Sequence, residues 1–291
     1  MKKILYLIIS SIFIIYSCDK VDSPYIEKVK NNDNNDTAEF VQNILIEDYT
    51  AHTCVNCPRA ARQLEEIQHT YGDRIIPIAI HVSSLAQPYN SPFEADFRTT
   101  VGTELDNEFG ISGPGLPKGM INRTEYNGDI KVPDGEWPTA VAAFINKSPS
   151  LGIKLQTIMD TINKIVTINV KVHVLKDTME NLNLCVYILE NGIIGGQLDK
   201  EVPGNHVIDD YEFNHTLRAS VNDTWGEAIA SSSDTLKNGT ILNSKYENIP
   251  LKPDWVFQNL SIVAFIYDND SKQIIQADNL NLFTNYITNE N

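Results

Sequence analysis

Residues Ile44–Tyr71 read ILIEDYTAHTCVNCPRAARQLEEIQHTY, and this stretch decides how the first half of the chain folds. Ile44, Leu45 and Ile46 make a strand-like apolar run, and a short polar turn leads to Cys54-Val55-Asn56-Cys57. A helical pattern follows at once. Ala60, Ala61, Leu64, Ile67 and Tyr71 recur at helical spacing while Arg59, Arg62, Glu65, Glu66 and Gln68 take the other faces. Pro58 falls in the first turn, where its missing N–H costs nothing, and Gly72 marks the end. The order places a dithiol at a helix N-terminus, where unpaired N–H groups and the positive end of the macrodipole favour a thiolate.

Working outward, Ile75–Val82 is a short β-branched run that suits a strand buried on both faces. Phe93, Phe97, Val101, Leu105 and Phe109 predict a second helix over 93–109, stopped by Gly110. A Gly- and Pro-rich loop from Ile111 runs into a short strand, Asn127-Gly128 signals a tight hairpin, and Trp137–Asn146 predicts a last helix. The order β-α-β-α-β-β-α over residues 40–149 is that of an α/β layer with a mixed sheet. Beyond Pro149 the texture changes to short strand-like segments, among them Lys164–Leu175, Leu182–Glu190, Tyr211–Ser220 and Val256–Asp268. Val166, Ile168, Val170, Val172 and Val174 alternate as one buried face requires. About seven such strands predict an all-β sandwich over 150–291.

At the other end, Lys2 and Lys3 precede an unbroken apolar run from Ile4 to Ile15, closed by Tyr16-Ser17-Cys18. The run suits a secretory leader over 1–17, and a cysteine directly after a small residue resembles the lipobox of bacterial lipoproteins, which implies acylation of Cys18 and a membrane-held protein. Residues 18–39 are rich in Asn, Asp and Lys, a solvated tether with a span of about 25 Å. The chain carries 23 basic and 38 acidic residues, net −15, which repels phosphate backbones and excludes nucleic acid as a partner. Its four cysteines divide into the anchor Cys18, the pair Cys54 and Cys57, and a lone Cys185 expected to be buried and inert.

The stretch 44–71 resembles the active-site region of the thioredoxin superfamily. Asp48-Tyr49-Thr50-Ala51-His52-Thr53-Cys54-Val55-Asn56-Cys57-Pro58, Asn214-His215-Thr216-Leu217-Arg218-Ala219 and Val263-Ala264-Phe265-Ile266-Tyr267-Asp268 resemble the outer-membrane-protein-twenty-eight-related lipoproteins of Bacteroidetes. The resemblance implies a thioredoxin-like domain followed by an immunoglobulin-like sandwich, on a lipid anchor at the outer membrane. It also implies a buried carboxylate at Asp48, six residues before Cys54, and a cis-proline facing the dithiol. Pro117, after Gly115-Leu116, suits that place, and Pro114 is its rival. Thr53 stands where the superfamily has tryptophan, and Val55-Asn56 where it has Gly-Pro or Pro-His. The redox potential is therefore not carried over, and a thiolate is left to the helix end and His52.

The chemistry implied is thiol–disulfide exchange on exported proteins with thiols or disulfides, without an organic cofactor. Cys54, expected to be the more exposed, exchanges with substrate, Cys57 resolves, Asp48 relays a proton, and Leu116 and Pro117 dock an extended strand. The competing reading is a binding protein in which Cys54–Cys57 is a structural clasp. A soft-metal site at Cys54, Cys57 and His81 offers only three ligands, so no metal is assigned. His215 and Arg218 suggest a structural hydrogen-bond network.

Overall fold

Strand β1 (Ile44–Thr50) is buried at every position because layers cover both of its faces. Ile44 and Ile46 face one layer, Leu45 and Tyr49 the other. The computed structural model describes residues 40–282; the expected leader 1–17, the anchor Cys18 and the tether 18–39 lie outside them. Helix α1 (Cys57–Tyr71) sets Ala60, Leu64 and Ile67 in one core with Ile44 and Ile46. Strand β2 (Ile75–His81) then runs parallel to β1.

Helix α2 (Thr100–Phe109) begins at Thr100, not Phe93. The Thr99 hydroxyl accepts the Gly102 N–H at 2.9 Å and caps it. Phe93 and Phe97 belong instead to the preceding loop, where they pack on His52 and His81. Strand β3 (Lys118–Ile121) pairs antiparallel with β1, and the expected tight turn closes Tyr126 on Asp129 through Asn127 and Gly128, both at positive φ. Helix α3 (Trp137–Phe144) completes the layer around Ile44 and Ile46.

Ten strands follow: β4 (Leu151–Asp160), β5 (Ile165–Val174), β6 (Leu182–Glu190), β7 (Ile193–Leu198), β8 (Val207–Phe213), β9 (Thr216–Ser220), β10 (Glu227–Ala230), β11 (Ile241–Pro250), β12 (Leu260–Asp268) and β13 (Ile274–Asn281). The single strand expected over 211–220 is two, broken at His215, whose φ is 57°. Strands β7 and β10 lie outside the segments expected as strands.

The described chain is mostly β, built on a mixed sheet. Its strand order is β3-β1-β2-β9-β6-β12-β13, with β10 also on β6. Strands from either side of Pro149 therefore share this sheet. The seam is narrow and parallel: Ala79 on β2 faces Thr216 on β9, and the Ala79 N–H donates to the His215 carbonyl at 2.8 Å. Around it the His215 N–H donates to Asn191 at 2.7 Å, Asn214 accepts the Gly192 N–H at 2.9 Å, and Arg218 pairs with Glu190 at 3.1 Å. The Asn214–Ala219 motif thus carries a hydrogen-bond network at His215 and Arg218, and it lies at a joint between strands that the sequence did not indicate.

One face of the sheet forms a continuous core from Leu45 and Tyr49 to Cys185, Tyr187 and Phe265. The other face is covered by α1 and α3 near β1 and by the three-stranded sheet β11-β5-β4 near β6 and β12. Val166, Ile168, Val170 and Val172 point into that second core opposite Leu182, Leu184, Val186 and Ile188, each burial worth roughly 2 kcal/mol. Cys185 lies on the opposite face of β6, wholly buried, and burial pushes its thiol up to about 12; it is inert at neutral pH.

Gly119 on β3 is required by close approach. A Cβ there would lie 2.6 Å from the Trp137 indole, which is held by its own N–H to the Val132 carbonyl at 2.9 Å. Gly119→Ala should cost about 2 kcal/mol through overpacking, read as a lower urea midpoint at unchanged slope. An unchanged midpoint would show that the indole is free to shift.

Candidate functional site

After β1 the chain turns through Ala51-His52-Thr53 into Cys54, and α1 begins at Cys57 without a side-chain cap from Asn56. Cys54 and Cys57 form a disulfide with Cα atoms 5.5 Å apart. Cys54 is 4% exposed and Cys57 2%, so exposure does not set the two apart as expected. Ala51, Ala86 and Leu116 pack on the pair.

The loop that carries the disulfide is tied down from both sides. Thr53 donates its N–H and its hydroxyl to the Leu85 carbonyl at 3.2 and 2.7 Å. From the other side the Leu198 N–H donates to His52 O at 2.9 Å and the Lys200 N–H to Val55 O at 2.8 Å. The Gln197 amide donates to Cys54 O at 3.2 Å. Arg62 on α1 pairs with Asp199 at 2.7 Å and Glu201 at 2.8 Å. These residues of the β7–β8 arm escaped sequence reasoning because Gly195-Gly196 reads as a loop. The glycine pair was the available signal: Gly196 donates its N–H to Pro92 O at 3.0 Å, and a Cβ there would meet Pro92 at 2.6 Å.

Asp48 lies on β1 beside Ala79 and Gly119, 3% exposed. Burial, with the Asp134 carboxylate second, pushes its carboxyl up to about 8, so at neutrality it holds a proton. Its Oδ1 has no partner among the described residues. The Leu116–Pro117 peptide is cis, Pro117 is buried and Pro114 is exposed. Leu116 touches the cysteine cluster.

His52 does not serve as a cation. It is buried, its Nε2 lies 3.0 Å from the Gln87 carbonyl, its ring packs near Phe93 and Phe97, and burial holds it below the usual imidazole range. The helix end is then the remaining stabiliser of a thiolate. His81, at the end of β2, is buried between Phe97 and Phe213 and pushed down to about 3 by burial. Among the described residues no group of three or more His, Cys, Asp or Glu is placed to hold a metal ion.

A cleft of about 430 Å³ opens between α1 and β8. Asp48, Cys57 and His81 line it with Ala61 and Tyr211, and the exposed Glu65 and Glu212 belong to its walls. Cys54 does not line it. The disulfide therefore meets the cleft through Cys57, while Ala51, Ala86 and Leu116 pack on the pair as a whole.

The family model described as Outer membrane protein Omp28 matches residues 102–285. The chain belongs to the Omp28 family. This agrees with the resemblance carried by its motifs and places the protein at the outer membrane. The Omp28 match begins within α2, so it does not include Cys54 and Cys57. No helix of the described residues is long and apolar enough to cross a membrane. Among solved structures, HBP35 of Porphyromonas gingivalis is 21% identical, covering 87% of this chain and 79% of its own, with a TM-score of 0.61. A protein of Agrobacterium tumefaciens is 12% identical over 87% of this chain and all of its own, with a TM-score of 0.51. These share the fold. A domain of the outer membrane lipoprotein Omp28 from Porphyromonas gingivalis is 24% identical over 49% of this chain and 93% of its own, with a TM-score of 0.32. No curated protein matches the chain.

Proposed function

We propose that this Omp28-family protein, held at the outer membrane by a lipid on Cys18, carries out thiol–disulfide exchange through Cys54 and Cys57. Residues 40–149 form its thioredoxin-like part and 150–291 its immunoglobulin-like part. The order β2-β1-β3, continued by the Gly119–Val132 bridge, supports the first of these. The facing sheets β6/β12 and β11-β5-β4 support the second. The observation that carries the exchange reading is a disulfide at the start of α1 with a buried, proton-bearing Asp48 in the adjoining cleft wall and Leu116 packed on the cysteine pair. Exported proteins with thiols or disulfides are the substrates. Their extended segments dock along Leu116 and Pro117 once the Leu85–Ala86 segment parts.

In the exchange, a substrate thiolate attacks one sulfur, the other leaves as a thiolate, and Asp48 supplies or receives the proton. Cys54→Ser should abolish exchange with a disulfide-bearing test protein while leaving the fold intact, and the wild-type reduction potential should lie above about −300 mV. A potential well below that value would make the disulfide a structural clasp. The burial of both sulfurs favours that second reading, a binding protein whose β part recognises its partner. It requires partner binding to survive replacement of both cysteines.

A further inference from the structure

Ala51, Ala86 and Leu116 pack on the two cysteines together, so a protein substrate reaches the disulfide only after they move. Cys57, buried though it is, is the cysteine that lines the cleft. The cleft between α1 and β8 lies within the size of small-molecule sites and is far narrower than a protein interface. Two of its wall residues, Asp48 and His81, are buried with polar atoms that have no partner among the described residues. Pro58, Ala61, Leu64 and Phe213 supply apolar surface. The charged side chains of the wall other than Asp48, namely Glu65 and Glu212, are exposed carboxylates, so its field repels anions and favours cations.

We propose that this cleft is a second substrate site, which admits a low-mass thiol of neutral or cationic character to Cys57 and so exchanges electrons with the disulfide from the cleft. The proposal rests on the exchange reading and names the other half of the reaction. A thiolate RS⁻ in the cleft attacks Cys57 Sγ; the Cys54–Cys57 bond breaks and its electron pair leaves on Cys54, a thiolate at the start of α1. A second RS⁻ attacks the outer sulfur of the mixed disulfide, releasing RSSR and Cys57 as a thiolate, which takes the proton from Asp48. Two thiolates are oxidised to one disulfide, and the protein disulfide is reduced to Cys54 thiolate and Cys57 thiol. Asp48 is left ionised until it takes a proton from water. Protection of the cleft-side sulfur from macromolecules and its access to small thiols are two consequences of one geometry.

The test uses the oxidised full chain and two small thiols of opposite charge, cysteamine and 3-mercaptopropionate, each rate taken at equal thiolate concentration and divided by that thiol's rate with an uncharged low-mass disulfide, which removes the difference in intrinsic nucleophilicity. On that scale, at low ionic strength, cysteamine should reduce Cys54–Cys57 at least about threefold faster, and the ratio should fall toward one in Glu65→Gln/Glu212→Gln and in high salt. Ala61→Trp, which fills the cleft from the partly exposed face of α1, should slow both thiols by about fivefold or more. Acid-trapped mixed disulfides, mapped by mass spectrometry in the unaltered protein, should carry the small thiol on Cys57. Adducts on Cys54, or rates indifferent to Ala61→Trp, would overturn the proposal. Adducts on Cys57 in a protein that exchanges with no protein disulfide would leave the cleft assignment standing and remove only the wider exchange reading.

Discussion

Replacing Arg123 by methionine is expected to destabilise the protein by about 4 kcal/mol, among the largest losses any single substitution here should cause. Arg123 is 1% exposed at its side chain and Glu47 0%, and the two meet in a bidentate pair at 2.8 and 2.7 Å. The guanidinium also lies over Phe109, Phe265 and Tyr267, 5.0 to 5.6 Å from their centroids. The pair therefore sits in the core that joins β1 to β12. Removing the cation leaves the Glu47 carboxylate without its partner in an apolar layer, which is where the cost arises. The double change Glu47→Leu/Arg123→Met removes both charges and should recover most of the loss, since a buried pair contributes little net stability over well-packed apolar residues. Urea unfolding of the two single variants and the double one makes the comparison. A loss under about 1 kcal/mol in Arg123→Met would mean that water reaches Glu47.

This pair shows where a sequence stops being informative. Glu47 stands in an apolar strand run and Arg123 follows the expected strand at Ile121 and Asn122, but nothing local says that the two meet. Local pattern was sufficient for elements held by their own periodicity. Leu182–Glu190 is a strand with the bounds expected of it, the alternation of Val166 to Val174 faces one core, and the dithiol stands at the start of α1. It failed where tertiary packing overrides spacing. Phe93 and Phe97 have helical periodicity yet serve as a lid over His52 and His81, and the helix waits for its cap at Thr99. The joining of β2 to β9 was illegible because it consists of a single facing pair, Ala79 with Thr216, between segments remote in sequence.

Cys54 and Cys57 were named from their place at a helix start, and Asp48, Leu116 and Pro117 from the resemblance to the thioredoxin superfamily; the structure sets Asp48 in the cleft wall with Cys57 and packs Leu116 on the disulfide. The arm that hydrogen-bonds His52, Cys54 and Val55 could not be named, because its contacts are backbone N–H groups at Leu198 and Lys200 and a glutamine side chain, which carry no signature. Nor could the cleft beside Cys57. It arises from the space between a helix face and strand β8, which was expected to continue unbroken into β9.

Asp48→Asn is expected to stabilise the protein by about 3 kcal/mol at pH 8 and to destabilise it by about 2 kcal/mol at pH 4, where the wild-type carboxyl costs nothing and only the unpaired amide is felt. The Asp48 carboxyl is pushed from 3.8 to about 8, first by burial and second by Asp134, while in the unfolded chain it titrates near pH 4. Between those values the folded protein keeps a proton that the unfolded chain has released. Stability must then fall as pH rises from about 4 to about 8 and level off beyond, a contribution opposite in sign to that of a salt-bridged carboxylate. Each unit of the shift is worth about 1.4 kcal/mol, so the full cost at pH 8 is on the order of 5 kcal/mol, from which the unpaired amide of asparagine takes back a part. Urea unfolding at the two pH values measures the difference; an equal gain at both would show that Asp48 is ionised alike in folded and unfolded chains. The same variant tests the chemistry. An acid that holds its proton only at such expense is retained for a reason, and if that reason is to protonate Cys57, exchange should slow by at least about tenfold near pH 7. A protein made more stable by Asp48→Asn with exchange unchanged would reduce Asp48 to a buried acid with no part in the reaction, and would move the search for the proton donor to Tyr211 and the solvent in the cleft.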